Sequence, residues 1–132
     1  MYKEYDEAIS NMTTQVLALD WDETTSDYPL AFKEIAKLYE RVIIVTVNDE
    51  LTVEDACLWL GRTPENLRIF CCPDDNIEDV PGWKSNVCFK EQVALMFDDN
   101  PDVVRACHNK GVNAICVSER AWKFEKTVNS LL

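Results

Sequence analysis

Five short apolar runs recur along the chain, Val16 to Leu19, Val42 to Val45, Leu67 to Cys71, Ala94 to Phe97 and Asn113 to Val117, with segments of helical period between them. A strand that faces water on one side alternates apolar and polar residues, whereas a strand covered on both sides reads as a continuous apolar stretch. Runs of the second kind, separated by helices, imply a parallel sheet with right-handed crossovers. The expected fold is α/β and Rossmann-like, in three layers, with about five parallel strands and helices on both faces.

The intervening segments carry recognisable ends. Pro29 opens one helix, with Ala31, Ile35 and Leu38 as its apolar stripe. Thr52 caps a second, which Gly61 ends. A third is expected from about Lys84 to Gln92. Asn100 and Pro101 start a fourth, which carries Val103, Val104 and Cys107 to a stop at Gly111. Ser118 begins a fifth, with Phe124, Val128 and Leu131 on one face, and Tyr2, Tyr5, Ile9 and Met12 suggest an N-terminal helix or arm over residues 1–15. With 132 residues and no linker or repeat, one domain spanning 1–132 is expected.

No apolar run reaches the roughly 18 residues of a membrane span, and no secretory signal is evident, so a soluble, cytoplasmic protein without membrane contact is expected. The six cysteines lack a CxxC spacing and read as free, mostly buried thiols. With His108 as the sole histidine, the sequence argues against a histidine-based metal site. The balance of 13 basic against 24 acidic residues, a net charge of −11, argues against a nucleic-acid polymer as partner. It leaves small phosphorylated molecules open.

In an open parallel sheet, ligands bind beyond the carboxyl ends of the strands, near the point where strand order reverses. The first strand delivers Asp20 there, with Asp22 and Thr24 just after; the second delivers Thr46 and Asn48; the fourth delivers Asp98 and Asp99. Lys84 stands in the connection leading to the fourth. Carboxylates that converge in this way repel unless protonated or bridged by a cation. An all-oxygen donor set points to Mg²⁺. Nucleophile, proton donor, hydroxyl, ammonium and metal are the parts that phosphoryl transfer needs, because its catalysis is mostly positioning and charge stabilisation.

In order and spacing these residues resemble the motifs of the haloacid dehalogenase (HAD) superfamily, mostly phosphatases of Rossmann-like fold. "DWDETT" resembles the first motif, "IIVTVND" the second, "GWKSNV" the third and "LMFDDNPD" the fourth. The resemblance implies Asp20 as nucleophile and Asp22 as general acid and base, with Thr24 as support and a substrate-side hydroxyl. It implies Thr46, Asn48 and Lys84 as phosphate-binding groups, with Thr46 and Lys84 part of the catalytic set. Mg²⁺ would be held by Asp20, Asp22 through its main-chain carbonyl, and Asp99, with Asp98 supporting.

Three residues depart from the pattern or compete within it. Glu23 stands where the family commonly has glycine. Lys90 competes with Lys84, and Lys84 is preferred because it precedes the expected helix beside Gly82. Asp102 falls one position early for the family's further acid and is given a helix N-terminal role.

Little room remains for a cap, so the resemblance implies a nearly capless phosphatase that forms an aspartyl phosphate from a small phosphorylated substrate, a nucleotide being one candidate. Trp21 and Trp83 flank the expected site, where packing is the commoner role of such rings and stacking on a base the rarer one. The competing function is a HAD-like protein that binds a phosphorylated ligand or a protein partner with little turnover. A receiver-type phosphoacceptor ranks last, because the third strand ends in Cys71 and Cys72 where such a domain would carry its aspartate.

Overall fold

The computed structural model describes residues 15–117 together with Val128, Ser130 and Leu131. The N-terminal helix or arm lies outside the described residues, as does most of the expected fifth helix. Strands β1 (Val16–Leu19), β2 (Arg41–Thr46), β3 (Leu67–Cys71), β4 (Val93–Asp98) and β5 (Ala114–Cys116) form one sheet in the order β3-β2-β1-β4-β5. All its pairings are parallel. Helices α1 (Pro29–Ala36), α2 (Val53–Leu60), α3 (Val80–Lys90) and α4 (Pro101–Asn109) alternate with the strands. The Rossmann-like α/β fold expected from the apolar runs is therefore present.

The period of a strand divides the core in two. Leu17 and Leu19 of β1, with Val42 and Ile44 of β2, pack under α1 and α2 against Phe32, Ala36, Ala56 and Leu60. Val16 and Ala18, with Ile43 and Val45, pack on the opposite face against Cys88, Val103 and Cys107 of α3 and α4. A strand must be apolar at every position to satisfy both layers, which is why β1 is an uninterrupted VLAL, buried throughout. The edge strands are less covered: β3 exposes Arg68 and Cys71, and β5 exposes Ile115 and Cys116.

An irregularity in β4 sets the direction of Asp98. Val16 and Leu17 are consecutive, yet they pair with Val93 and Leu95, leaving Ala94 as an extra residue. It resets the alternation, so that Met96 joins the α3 and α4 layer while Leu95 and Phe97 face α1 and α2. Asp98, two residues beyond Met96, continues on the α3 side.

Two helices differ from expectation. In α1 the covered residues are Phe32 and Ala36, with Ile35 and Tyr39 packed beside them, while Ala31 is exposed and Leu38 is 57% exposed. The edge-on contact of the Phe32 ring with Phe97, 5.2 Å between centroids, fixes the rotation of this helix, and apolar residues are left on its outer side. Helix α3 starts at Val80, earlier than expected, and ends at Lys90. Val-Pro-Gly resembles a breaker, but proline suits a first turn and the Asp79 side chain caps it by accepting from the Gly82 N–H at 3.1 Å. A Cβ at Gly82 would collide with that Asp79 carboxylate.

The remaining caps are as expected. Thr52 accepts from the Asp55 N–H and Asn100 from the Asp102 N–H, and Gly61 ends α2 at φ +63. Among the described residues, no helix is long and apolar enough to cross a membrane. All six cysteines are free, with Cys71 and Cys116 exposed and the others buried.

Candidate functional site

The sheet order places the switch point between β1 and β4, the central pair from which the chain winds outward in opposite directions. Asp20 follows the last residue of β1, its N–H held by the Phe97 carbonyl at 2.9 Å, and Asp98 closes β4 beside it. Strand alternation turns both carboxylates toward the α3 layer. Lys84, on the second turn of α3, meets them there.

The Lys84 ammonium lies 2.7 Å from Asp20 Oδ1 and 2.8 Å from Asp98 Oδ2. All three groups are almost fully buried, at 4%, 5% and 1% exposure for Lys84, Asp20 and Asp98. Burial opposes the charge of Lys84, but the two carboxylates outweigh it and hold its pKa above the ordinary lysine value. Lys90 is exposed at the end of the same helix. The geometry thus brings Lys84 into the site, from within the helix and not ahead of it as the sequence suggested.

Asp20, Asp98 and Asp99 form a cluster in which one oxygen from each lies within 4.8 Å of the others. With one ammonium against three carboxylates, the cluster carries excess negative charge. The carboxyl of Asp20 responds by moving up to about 7, driven first by burial and then by Asp98, with Lys84 opposing. Burial also raises Asp98, although Lys84 and the Asn100 N–H at 2.9 Å restrain it. Asp99 is less buried, and its hydrogen bonds with Asp20 and Glu23 overcome the burial effect and lower it. An all-carboxylate, partly solvated set of this kind fits a hard divalent cation that keeps some of its waters, and Mg²⁺ is the common case.

The loop after β1 supports Asp20 from below. Trp21–Thr25 forms one wide turn, broken by Asp22 in an extended conformation and Glu23 at φ 61, ψ 2. Glu23 therefore adopts the left-handed geometry that a glycine would take at no steric cost. Thr24, fully buried, donates to Asp20 Oδ2 at 3.2 Å and lies 3.5 Å from Asp99 Oδ1. Its hydroxyl is directed at these two carboxylates, the supporting position that the first motif implies for it. Thr25, which the sequence did not single out, donates to the Asp20 main-chain carbonyl at 2.8 Å.

The other expected residues are linked to one another between the end of β2 and the loop after β1. Thr46 is buried at the end of β2, and its hydroxyl accepts from the Asn48 N–H at 3.0 Å. The Asn48 side chain donates to Asp22 Oδ1 at 3.3 Å and accepts from the Glu50 N–H at 2.9 Å. The Asp22 carboxylate is exposed and stands apart from the three-carboxylate cluster, whose third member is Asp98. Trp21 is 6% exposed and packs against Trp59 at 5.6 Å, while Trp83 packs on the α3 and α4 core. Both rings are packing residues in this geometry.

No sequence-family model matches the chain, and no curated protein does. Among solved structures, it is similar to the HAD domain of effector protein Lem4 from Legionella pneumophila, an inactive mutant. That likeness covers 91% of this chain and 93% of that one, at 12% identity and a TM-score of 0.47. The chemistry of the site rests on its own residues.

Proposed function

We propose that this chain is a Mg²⁺-dependent phosphomonoester hydrolase of the haloacid dehalogenase type, nearly capless, which works through an aspartyl phosphate on Asp20. The observation that carries the reading is the buried Asp20–Lys84–Asp98 arrangement at the switch point, with Asp99 beside it. A carboxylate, an ammonium and a carboxylate cluster able to hold a cation are thus in contact at one strand end, which supports the reading.

Asp20, Asp99 and the Asp22 carbonyl would hold the cation, which when bound supplies charge neutralisation for the phosphoryl oxygens. Asp20 ends a rigid strand, and Lys84, Thr24 and Thr25 restrict its motion, so its carboxylate is presented in one orientation. An Asp20 oxygen attacks phosphorus as the ester P–O bond breaks, and Asp22 gives its proton to the departing alkoxide. Asp22, now a carboxylate, then takes a proton from water as the water oxygen attacks the acyl phosphate. The P–O bond to Asp20 breaks, inorganic phosphate leaves and the Asp20 carboxylate is regenerated. Lys84 and Thr46 offset and orient the phosphoryl charge throughout.

The connections at this end of the sheet are short or form single turns, Asp20 to Tyr28 before α1 and Val47 to Thr52 before α2, which supports an open site. Asp22, Glu23, Asp49, Glu50, Asp74 and Asp75 lie exposed on those connections and the one after β3, and Lys84 is the one ammonium among the described residues within the carboxylate cluster. Such a rim favours a small substrate with a single phosphoryl group over a polyphosphate or a nucleic-acid polymer.

The test is phosphate release from a panel of phosphomonoesters with Mg²⁺, comparing wild type with Asp20→Asn. Wild type is expected to release phosphate and the variant to lose at least about a hundredfold in rate. Equal release by the two proteins would sink the catalytic reading, and calorimetric binding of an ester without turnover would replace it with a phosphate-binding role.

A further inference from the structure

We infer that Asn48 is a positioning residue for Asp22, and not a substrate-binding residue as its place after β2 suggests. The inference deepens the proposed phosphoryl-transfer role of this site and rests on that reading. Three hydrogen bonds fix the Asn48 residue. Its main-chain N–H donates to Thr46 Oγ1, its Oδ1 accepts from the Glu50 N–H, and its Nδ2 donates to Asp22 Oδ1.

The middle bond determines which end of the amide faces Asp22. A main-chain N–H can only donate, so the atom facing Glu50 is the carbonyl oxygen, and the opposite end is the NH₂ group. Asp22 therefore meets a donor from the β2 side. Its own backbone lies in the irregular part of the Trp21–Thr25 turn, and the Asn48 amide is the one hydrogen-bond partner of its carboxylate among the described residues.

A donor on Oδ1 favours the transferable proton on Oδ2. It selects one oxygen of Asp22 for proton transfer and holds that oxygen at a fixed place relative to Thr46. A general acid that can wander from its productive position loses much of its effect, because a shift near 1 Å costs up to about a hundredfold in rate. The amide of Asn48 thus links the phosphate-binding end of β2 to the proton donor in the β1 loop. Both ends of that amide are engaged within the protein, which is the arrangement of a strut between two loops.

Leaving-group dependence separates positioning from binding. An alkyl phosphate needs its departing oxygen protonated, whereas an aryl phosphate with an acidic phenol departs with little help. Two variants are measured on both substrates. Asn48→Ala removes the amide, and Asn48→Asp keeps an acceptor for the Glu50 N–H while replacing the donor toward Asp22. Both are expected to lose about 10- to 100-fold in kcat on the alkyl phosphate, with less than about threefold loss on the aryl phosphate and KM unchanged. A uniform rise in KM on both substrates, or equal losses in kcat, would overturn the inference. A crystal structure of Asn48→Ala is the check that needs no turnover: Asp22 is expected to leave its wild-type rotamer or occupy more than one, and an unmoved carboxylate would refute the role. Activity of Asp20→Asn equal to wild type would instead overturn the reading of the whole site, and with it this assignment.

Discussion

Replacing Lys84 by methionine keeps the volume and the apolar stem but leaves two buried carboxylates without their cation. The ammonium sits 2.7 Å from Asp20 and 2.8 Å from Asp98, and all three side chains are nearly inaccessible to water. Removing one partner of a buried ion pair typically costs about 3–5 kcal/mol, because the remaining charge is stranded in a poor solvent. Two stranded carboxylates place Lys84→Met at the upper part of that range. A domain of this size has roughly 5–15 kcal/mol in total, so the variant should melt roughly 10–20 °C lower at pH 8.

The sign of the pH dependence follows from the direction of the shifts. Asp20 and Asp98 already titrate above their ordinary range, and without Lys84 they rise further. An acid whose folded-state pKa is raised stabilises the fold while protonated, and that contribution is lost as pH rises through the folded value. For Asp20 in the wild type the window runs from 3.8 to about 7. The deficit of Lys84→Met should therefore be largest at pH 8 and shrink on acidification toward pH 5. Urea unfolding at both pH values, with Lys90→Met as an exposed control expected to stay within about 0.5 kcal/mol of wild type, measures it. A deficit below about 1 kcal/mol at pH 8, or one that does not change with pH, would show that Lys84 does not offset buried carboxylate charge.

The same geometry sets three further outcomes. Mg²⁺ at a hundredfold excess over its dissociation constant should stabilise wild type by about 2.7 kcal/mol, and Asp99→Asn should abolish most of that shift in a thermal melt; a wild type indifferent to Mg²⁺ would count against the metal set. Thr25→Val removes a buried hydroxyl from the Asp20 carbonyl while keeping its shape, and should cost roughly 1–2 kcal/mol in chemical denaturation. Gly82→Ala drives a methyl into the Asp79 cap of α3 and should cost about 1 kcal/mol or more, whereas Lys90→Ala, exposed on the same helix, should be close to neutral by the same measurement.

The sheet was legible because burial on both faces leaves its central strands little freedom of composition, and even the less covered edge strand β3 is mostly apolar. The runs at Val16 to Leu19 and Leu67 to Cys71 match β1 and β3 residue for residue. Helix rotation was harder to read. Helix α1 and the turn after it carry Leu30, Ala31 and Leu38 on the exposed side, so hydrophobicity alone did not distinguish the covered face from the outer one. The strand-end position of the site residues was also legible, since chain order and strand direction fix it. What each side chain touches depends on long-range geometry.

Lys84 could be ranked above Lys90 by position, but its bridge between Asp20 and Asp98 required the early start of α3 and the extra residue in β4 that turns Asp98 toward it. Thr25 gave no local signal that would separate it from Thr24. The Asn48 contact with Asp22 joins two loops that are distant in sequence, and the order of residues alone did not show it.

The proposed chemistry turns on Asp20, and not Asp22, being the group that takes the phosphoryl. A crystal structure with Mg²⁺ and beryllium fluoride, a mimic of an acyl phosphate, distinguishes the two. The adduct is expected on an Asp20 carboxylate oxygen, with Lys84 and Thr46 at its fluorines and Asp99 on the metal. An adduct on Asp22, or a site that binds neither ion at millimolar concentration, would contradict the assignment.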